Sequence, residues 1–397
     1  MPPFSNLLSK LTGGLFGGKG KPADHHDEVW LLDNLAFRRG PNEPWRAEYV
    51  AAFFDDNSKI REKVVKAIAD LTQTLNLAPD DQISEDRIKD RLAPFVRQIG
   101  PNMSVKIEYE GVKKVIQLGP SDANGILSQE LDVPLGGKGM QPGQALKMGV
   151  VHEQKESLSE GSHTAMLETG NTYFAADGGF GVISDIDDTI KVTQVRDRLA
   201  LLKNTFVKEP KPVQGMPELY KRLHDALSTP SNPTPFVYLS ASPYNLYPFL
   251  RSFIKNAGFP NGMMILRDMS WMAMESFVVS LTVGTQEYKE DRMKKVSTWL
   301  PKTTWVCIGD STQTDPEAYA TFYKQLEKNG QGGRVARIWI HKVVGVNPSA
   351  EKDLNDPKRF QKAFDGIDPK VWKVFENPDE LLSEINALKQ QAGSRVN

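Results

Sequence analysis

The chain has 397 residues, enough for two domains and tails, and its 49 Lys and Arg against 50 Asp and Glu leave a formal net charge of −1. That balance lacks the basic surplus that nucleic-acid binding asks for, and the single cysteine, Cys307, excludes an intrachain disulfide and suits a reducing compartment. No apolar run approaches the roughly 18 residues of a membrane span. Residues 1–20 show no continuous apolar core with a cleavage site, so the chain reads as cytoplasmic, either soluble or peripheral to a membrane.

Residues 1–26 form a tail rich in Gly, Lys and Pro. In it Phe4, Leu7, Leu8, Leu11 and Leu15 fall at helical spacing, with Ser5, Ser9, Lys10 and Thr12 opposite. Such a stripe can lie in a membrane interface. Gly13, Gly14, Gly17 and Gly18 weaken any helix there, so an unstructured tail fits equally well. His25 and His26 read as a solvated pair rather than a metal site.

Residues 27–176 read as an α+β, β-sandwich-like accessory domain. Strands are expected at 29–32 and 47–54. Ile60, Val64, Ala67, Ile68, Leu71 and Leu75 mark one face of a helix. A second helix starts near Ser84 and carries Ile88, Leu92, Phe95 and Val96, and Pro94 should bend or break it. Val105, Ile107 and Tyr109 alternate with charged residues, Gly111 turns the chain, and strands follow at 112–118, 125–133 and 144–152. No charged constellation in this half demands chemistry.

From Asp177 onward strands alternate with helices. The strands fall at 181–185, 235–239, 263–266, 303–308 and 335–340, and the helices at 217–227, 246–257 and 286–299. This order predicts an α/β fold with a doubly wound parallel sheet over 177–345. Residues 346–397 read as a C-terminal appendage whose last helix opens at Asn377 and Pro378.

The strand at 181–185 empties into Asp185, Ile186, Asp187, Asp188 and Thr189. In open α/β sheets ligands bind beyond the carboxyl ends of strands. A carboxylate there can attack phosphorus, and a second carboxyl two residues on can protonate the leaving oxygen and then activate water. Two carboxylates and a phosphoryl group need a hard cation, for which Mg²⁺ fits best. Three further corners follow in chain order. Ser240 ends the next strand and can donate to a phosphoryl oxygen, although taken alone a Ser-Pro turn explains it better. Lys289 opens a helix and can neutralise phosphoryl charge, or it is one more solvated lysine in a charged helix. Gly309, Asp310 and Ser311 end a later strand, with Asp315 beyond them. Asp310 can reach a metal held by Asp185 and the Asp187 carbonyl, while Asp315 can support the metal or cap a helix. The conjunction points to phosphoryl transfer.

In this order DIDDT, LSASP, YK and GDS-x-x-x-D resemble the haloacid dehalogenase superfamily of aspartate-nucleophile phosphatases. Within it, SDIDDTIK, VYLSASPYNLYPFL, GFPNGMMILRD and IGDSTQTDPEAY resemble the fungal actin-patch-type phosphatidate phosphatases. The similarity covers most of 177–345. It implies a Rossmann-like catalytic domain that removes phosphate from phosphatidate at a membrane surface and leaves diacylglycerol. It assigns Asp185 as nucleophile, Asp187 as acid and base, and Thr189 as support for their turn. Ser240 would bind phosphate, Lys289 would clamp charge, and Asp310 with Asp315 would complete the Mg²⁺ site. Arg267 would touch the head group. The resemblance also implies SH3-domain or actin-patch partners, whereas the last fifty residues hold no PxxP cluster to recruit them. Two other readings fit the same residues: a phosphatase of soluble phosphomonoesters or phosphoproteins, and a non-catalytic lipid- or protein-binding scaffold.

Overall fold

The computed structural model describes residues 20–23, 27–55, 82–151, 167–268 and 284–393, together with Lys66 and Asp70's neighbour Ala69. The amphipathic stripe at Phe4–Leu15, the His25–His26 pair and most of the helix face from Ile60 to Leu75 lie outside these residues.

The first half of the chain forms a ten-stranded, mainly antiparallel sheet. Its strands are Lys21–Pro22 (β1), Glu28–Leu31 (β2), Asn34–Phe37 (β3), Arg46–Asp55 (β4), Gln98–Ile99 (β5), Met103–Tyr109 (β6), Val115–Leu118 (β7), Ile126–Asp132 (β8), Ala145–Val150 (β9) and Thr169–Phe174 (β10). The path runs β1-β6-β9-β10-β3-β4-β2, with β5 and β8 on β4 and β7 on β6. The expected alternation holds in β6, where Val105, Ile107 and Tyr109 are buried and Lys106 and Glu108 are exposed. Side chains from distant strands share one core, and the Tyr49 and Tyr109 hydroxyls meet at 2.9 Å. Strands β3 and β10 escape the sequence reading because they are short and carry polar residues. Helix α1 (Gln82–Val96) keeps Pro94 within it. The proline sits in the last turn, where only the carbonyl of the exposed Asp90 loses its donor.

The second half forms a six-stranded, fully parallel sheet: Phe180–Ser184 (β11), Phe236–Pro243 (β12), Met263–Arg267 (β13), Thr304–Asp310 (β14), Arg334–His341 (β15) and Trp372–Phe375 (β16). The order β13-β12-β11-β14-β15-β16 places the first strand of the sheet in the middle, and the chain leaves it first to one side and then to the other. That reversal lies between β11 and β14, where doubly wound sheets open a crevice at their carboxyl ends. The helices are Arg198–Leu202 (α2), Met216–Leu227 (α3), Tyr247–Asn256 (α4), Thr285–Trp299 (α5), Asp315–Asn329 (α6), Pro348–Leu354 (α7), Pro357–Ala363 (α8) and Leu382–Gly393 (α9). Val182 packs with α3 and α4 on one face, while Ile183 packs with α5 and α6 on the other. This explains why β11 reads as an uninterrupted buried run. The C-terminal segment supplies β16, an edge strand that its few apolar residues did not announce.

The two sheets share apolar core, with Trp30, Phe54, Ile88 and Leu92 in the same cluster as Leu246 and Leu250. Polar contacts add direction. Arg251 of α4 donates from Nε and Nη2 to the buried Asp33, at 3.1 and 3.0 Å, and the Tyr247 hydroxyl accepts from the Asp33 amide at 2.7 Å. Burial raises the Asp33 carboxyl while Arg251 and Asn171 pull it back. Helix α4 follows the end of β12, which carries Ser240, after the short turn Tyr244–Leu246, so the first sheet buttresses that strand end.

Gly181 is required by close packing. A Cβ there would stand 2.6 Å from Trp305 Cζ3 and 2.9 Å from Thr303 Cγ2. We expect Gly181→Ala to lower unfolding free energy by about 1–3 kcal/mol in urea titration; a variant as stable as the parent would mean that Trp305 can move aside freely.

Candidate active site

Strand β11 ends at Ser184, and the Asp185 amide still donates to the Ile308 carbonyl of β14 at 2.8 Å. That last sheet bond places Asp185 at the reversal point. The chain then turns sharply. Asp188 adopts φ 62°, a left-handed conformation that Asp tolerates better than most residues. Its carboxylate accepts three amides: Thr193 at 2.8 Å, Gln194 at 2.6 Å and Val195 at 2.8 Å. Its carbonyl lies 2.8 Å from His341 Nδ1. Thr189 donates from Oγ1 to Asp185 Oδ2 at 3.0 Å.

Three carboxylates converge on the opening. Asp185, Asp310 and Asp315 each offer an oxygen within 4.8 Å of the others, and all three are buried. Asp310 ends β14, and its Oδ1 accepts from the amide of Thr312 at 2.5 Å and from the Thr312 hydroxyl. Its Oδ2 is buried without a hydrogen-bond partner. Asp315 opens α6 but does not cap it; Oδ2 takes the Asp310 amide at 3.1 Å and Oδ1 takes Lys289. Gly309 makes this approach possible, since a Cβ there would stand 2.6 Å from Asp315 Cβ.

Lys289, on α5, is fully buried and donates to both Asp185 Oδ1, at 2.7 Å, and Asp315. Burial opposes its charge, but Asp185 and Asp315 outweigh that and hold it protonated, above the ordinary lysine range. Burial pushes the Asp185 carboxyl up to about 8 against the pull of Lys289, and Asp315 and Asp187 add to the rise. Burial, with Asp315 and Asp185, likewise drives Asp310 well above the usual carboxylate range. One ammonium faces three carboxylates. A hard cation is the natural complement of this set, and the orphaned Asp310 oxygen is a ready ligand for it.

Asp187 points elsewhere. Its Oδ2 accepts from the hydroxyls of Ser240 and Ser242, both at 2.9 Å, and its Oδ1 accepts from Thr193 at 2.7 Å with Lys191 Nζ at 3.3 Å. Burial would raise this carboxyl, but Lys191 and the three hydroxyls more than offset it and hold it below the ordinary range. Asp187 is therefore ionised, and its side chain is not one of the three acids that converge. Ser240, expected to face a phosphoryl oxygen, donates its hydrogen bond to Asp187. Arg267 ends β13 with its guanidinium 5.7 Å from the Tyr288 ring centroid, beside Lys289 in sequence.

Residues 180–342 match the family model described as phosphatidate phosphatase APP1, catalytic domain. The match covers the parallel-sheet segment and under half of the chain. Phosphatidate phosphatase APP1 of Saccharomyces cerevisiae (strain ATCC 204508 / S288c) is 32% identical over 165 residues, which is 41% of this chain and 26% of the yeast protein. The match thus spans about a quarter of the relative's length. The family is one of phosphoric monoester hydrolases, and the matched segment contains every residue singled out from the sequence for chemistry.

Sequence reasoning passed over four residues that shape this site: Asp188, Lys191, Thr193 and Ser242. Lys191 and Ser242 lie within the stretches already marked, and the signal was present there. Asp188 and Thr193 act through backbone turns that spacing does not reveal.

Asp188→Ala leaves three amides, those of the buried Thr193 and Val195 and of the half-buried Gln194, without their acceptor. We expect a stability loss on the order of 3 kcal/mol by chemical denaturation. Asp188→Asn, which keeps one carbonyl acceptor, should lose less, and equal losses would show that the turn does not need the acceptor.

Proposed function

We propose that this chain is a metal-dependent phosphatidate phosphatase that works through an aspartyl phosphate on Asp185, on a haloacid-dehalogenase-like sheet. The observation that carries the reading is the buried set of Asp185, Asp310 and Asp315 around Lys289 at the sheet's reversal point. The match to the APP1 catalytic domain supports phosphatidate as substrate. Asp185, Asp310 and Asp315, with the Asp187 carbonyl, would hold Mg²⁺, which when bound offsets the charge of the carboxylates and the phosphoryl group.

Asp185 attacks phosphorus through a carboxylate oxygen. The new bond is P–O to Asp185, and the bond that breaks is P–O to the diacylglycerol oxygen. Thr189 and Lys289 each hold an Asp185 oxygen, which fixes the line of attack. Lys289 also places a permanent positive charge where phosphoryl charge gathers. Asp187 gives a proton to the departing oxygen and later takes one from the water that opens the aspartyl phosphate. The ionised form favoured by Lys191 is the base needed in that second half. An incoming phosphoryl group raises the proton affinity of Asp187, which takes a proton from the phosphomonoester or solvent for the first half; the proton taken later from water restores that acid form, and release of phosphate returns it to the ionised state. As it turns to the leaving oxygen, it releases the Ser240 hydroxyl toward the phosphoryl group.

Residues 190–215 carry only the short α2 and the wide turn Lys203–Val207. That is too little chain to fold over the site as a domain, which supports a bulky substrate presented at a bilayer surface. Among the described residues no helix is long and apolar enough to cross a membrane. Contact with the lipid surface is assigned to the stripe at Phe4–Leu15 with Lys10, Lys19 and Lys21.

The deciding experiment follows phosphate release from phosphatidate in mixed micelles, with Mg²⁺ or chelator, beside a soluble phosphomonoester. We expect release that needs the metal, no turnover by Asp185→Asn, and a fall of at least about 100-fold in Asp187→Asn. Turnover of the soluble ester alone would keep the chemistry and discard the lipid. Deleting residues 1–20 should lower activity on vesicles and leave the soluble ester unchanged; equal losses on both would remove the docking role.

A further inference from the structure

The loop that follows Asp310 is held by two arginines, one of them beyond the matched segment. Ser311, Thr312 and Gln313 are all buried. Their three carbonyls point away from the acids, and two arginines take them. Arg359 of α8 donates from Nη1 to the Ser311 carbonyl and from Nη2 to the Gln313 carbonyl, both at 2.6 Å. Arg196 donates from Nε to the Thr312 carbonyl at 2.6 Å. Arg359 is itself oriented by Glu317 of α6, with Nε to Oε1 at 2.9 Å and Nη2 to Oε2 at 3.0 Å, and by the Leu354 carbonyl at 2.9 Å.

The consequence reaches the acid cluster through one residue. With its carbonyl held by Arg196, Thr312 turns its amide and hydroxyl inward, and both bind Asp310 Oδ1. That pins the carboxylate by one oxygen and leaves Oδ2 aimed into the cluster without a partner. The matched segment ends at residue 342, so Arg359 lies beyond it.

We infer that Arg359, with Arg196, is a positioning residue for the cation site: it fixes loop 311–313 so that Asp310 Oδ2 is preset as a ligand. The inference rests on the metal-site reading above. Groups that orient metal ligands typically change affinity by 10–100-fold when removed. The fork geometry is essential, because a lysine has one point charge and cannot span two carbonyls and a carboxylate.

The test titrates the full chain, without substrate, with Mn²⁺, reading free ion by electron paramagnetic resonance and displacing it with Mg²⁺. We expect Arg359→Ala to weaken binding by at least about tenfold, with Arg359→Lys between it and the parent. Phosphatase activity of Arg359→Ala should need more Mg²⁺ but reach a similar kcat at saturation. Phe360→Leu, which trims a buried neighbour on the same helix, should lower the melting temperature and leave Mn²⁺ affinity within about twofold of the parent. Parent-like affinity in Arg359→Ala, or an equal loss in Phe360→Leu, overturns the inference while the metal site stands. If Arg359→Ala does not fold, parent-like affinity in Arg359→Lys has the same meaning. A parent chain that binds no Mn²⁺ removes the metal reading and the inference with it.

Discussion

Buried negative charge at one point of the parallel sheet is the constraint on which the site depends. Asp185, Asp310 and Asp315 stand together out of solvent, and Lys289 is the ammonium that bridges two of them. Carboxylates without solvent are costly unless something positive or protic faces them. The surroundings answer that demand oxygen by oxygen. Thr189 and Lys289 satisfy Asp185, Thr312 satisfies one oxygen of Asp310, and Lys289 with the Asp310 amide satisfies Asp315. The remaining Asp310 oxygen is unanswered by the protein. A hard cation would complement a site built this way.

Asp187 solves a different problem two residues away. Strand and turn geometry separate it from the triad, and Lys191, Thr193, Ser240 and Ser242 surround it with donors. The two aspartates of one short motif therefore meet opposite environments. Burial and like charge raise Asp185, while a lysine and hydroxyls lower Asp187. Splitting neighbouring carboxyls in this way is how one motif can hold two chemical roles.

The rest of the chain serves as support for these loops. The first sheet packs against α4 through Asp33, Arg251 and Tyr247, and Asn245 Nδ2 reaches the Pro94 carbonyl of α1 at 3.1 Å. Asn245 and helix α4 follow the end of β12 with Ser240 and Ser242, so that strand end is braced from the first half of the chain. From the other end, α8 holds the loop after β14 and β16 closes the sheet edge.

By itself the sequence determined five of the six parallel strands, their alternation with helices, and five candidate residues that meet in space: Asp185, Thr189, Lys289, Asp310 and Asp315. It did so because buried parallel strands are apolar runs that end abruptly in polar residues, a one-dimensional signal. Ser240 and Asp187 were also legible, but not that they bind each other. Tertiary structure alone decided the strand order, the pairing of Lys289 with two carboxylates, and the opposed surroundings of the two aspartates. It alone brought Arg359 to the Asp310 loop and β16 to the sheet edge. These depend on contacts between residues far apart in sequence, such as Lys289 with Asp185 and Arg359 with Ser311. Local spacing carries no record of such partners, because any lysine or arginine in a charged helix reads as solvated until the fold buries it.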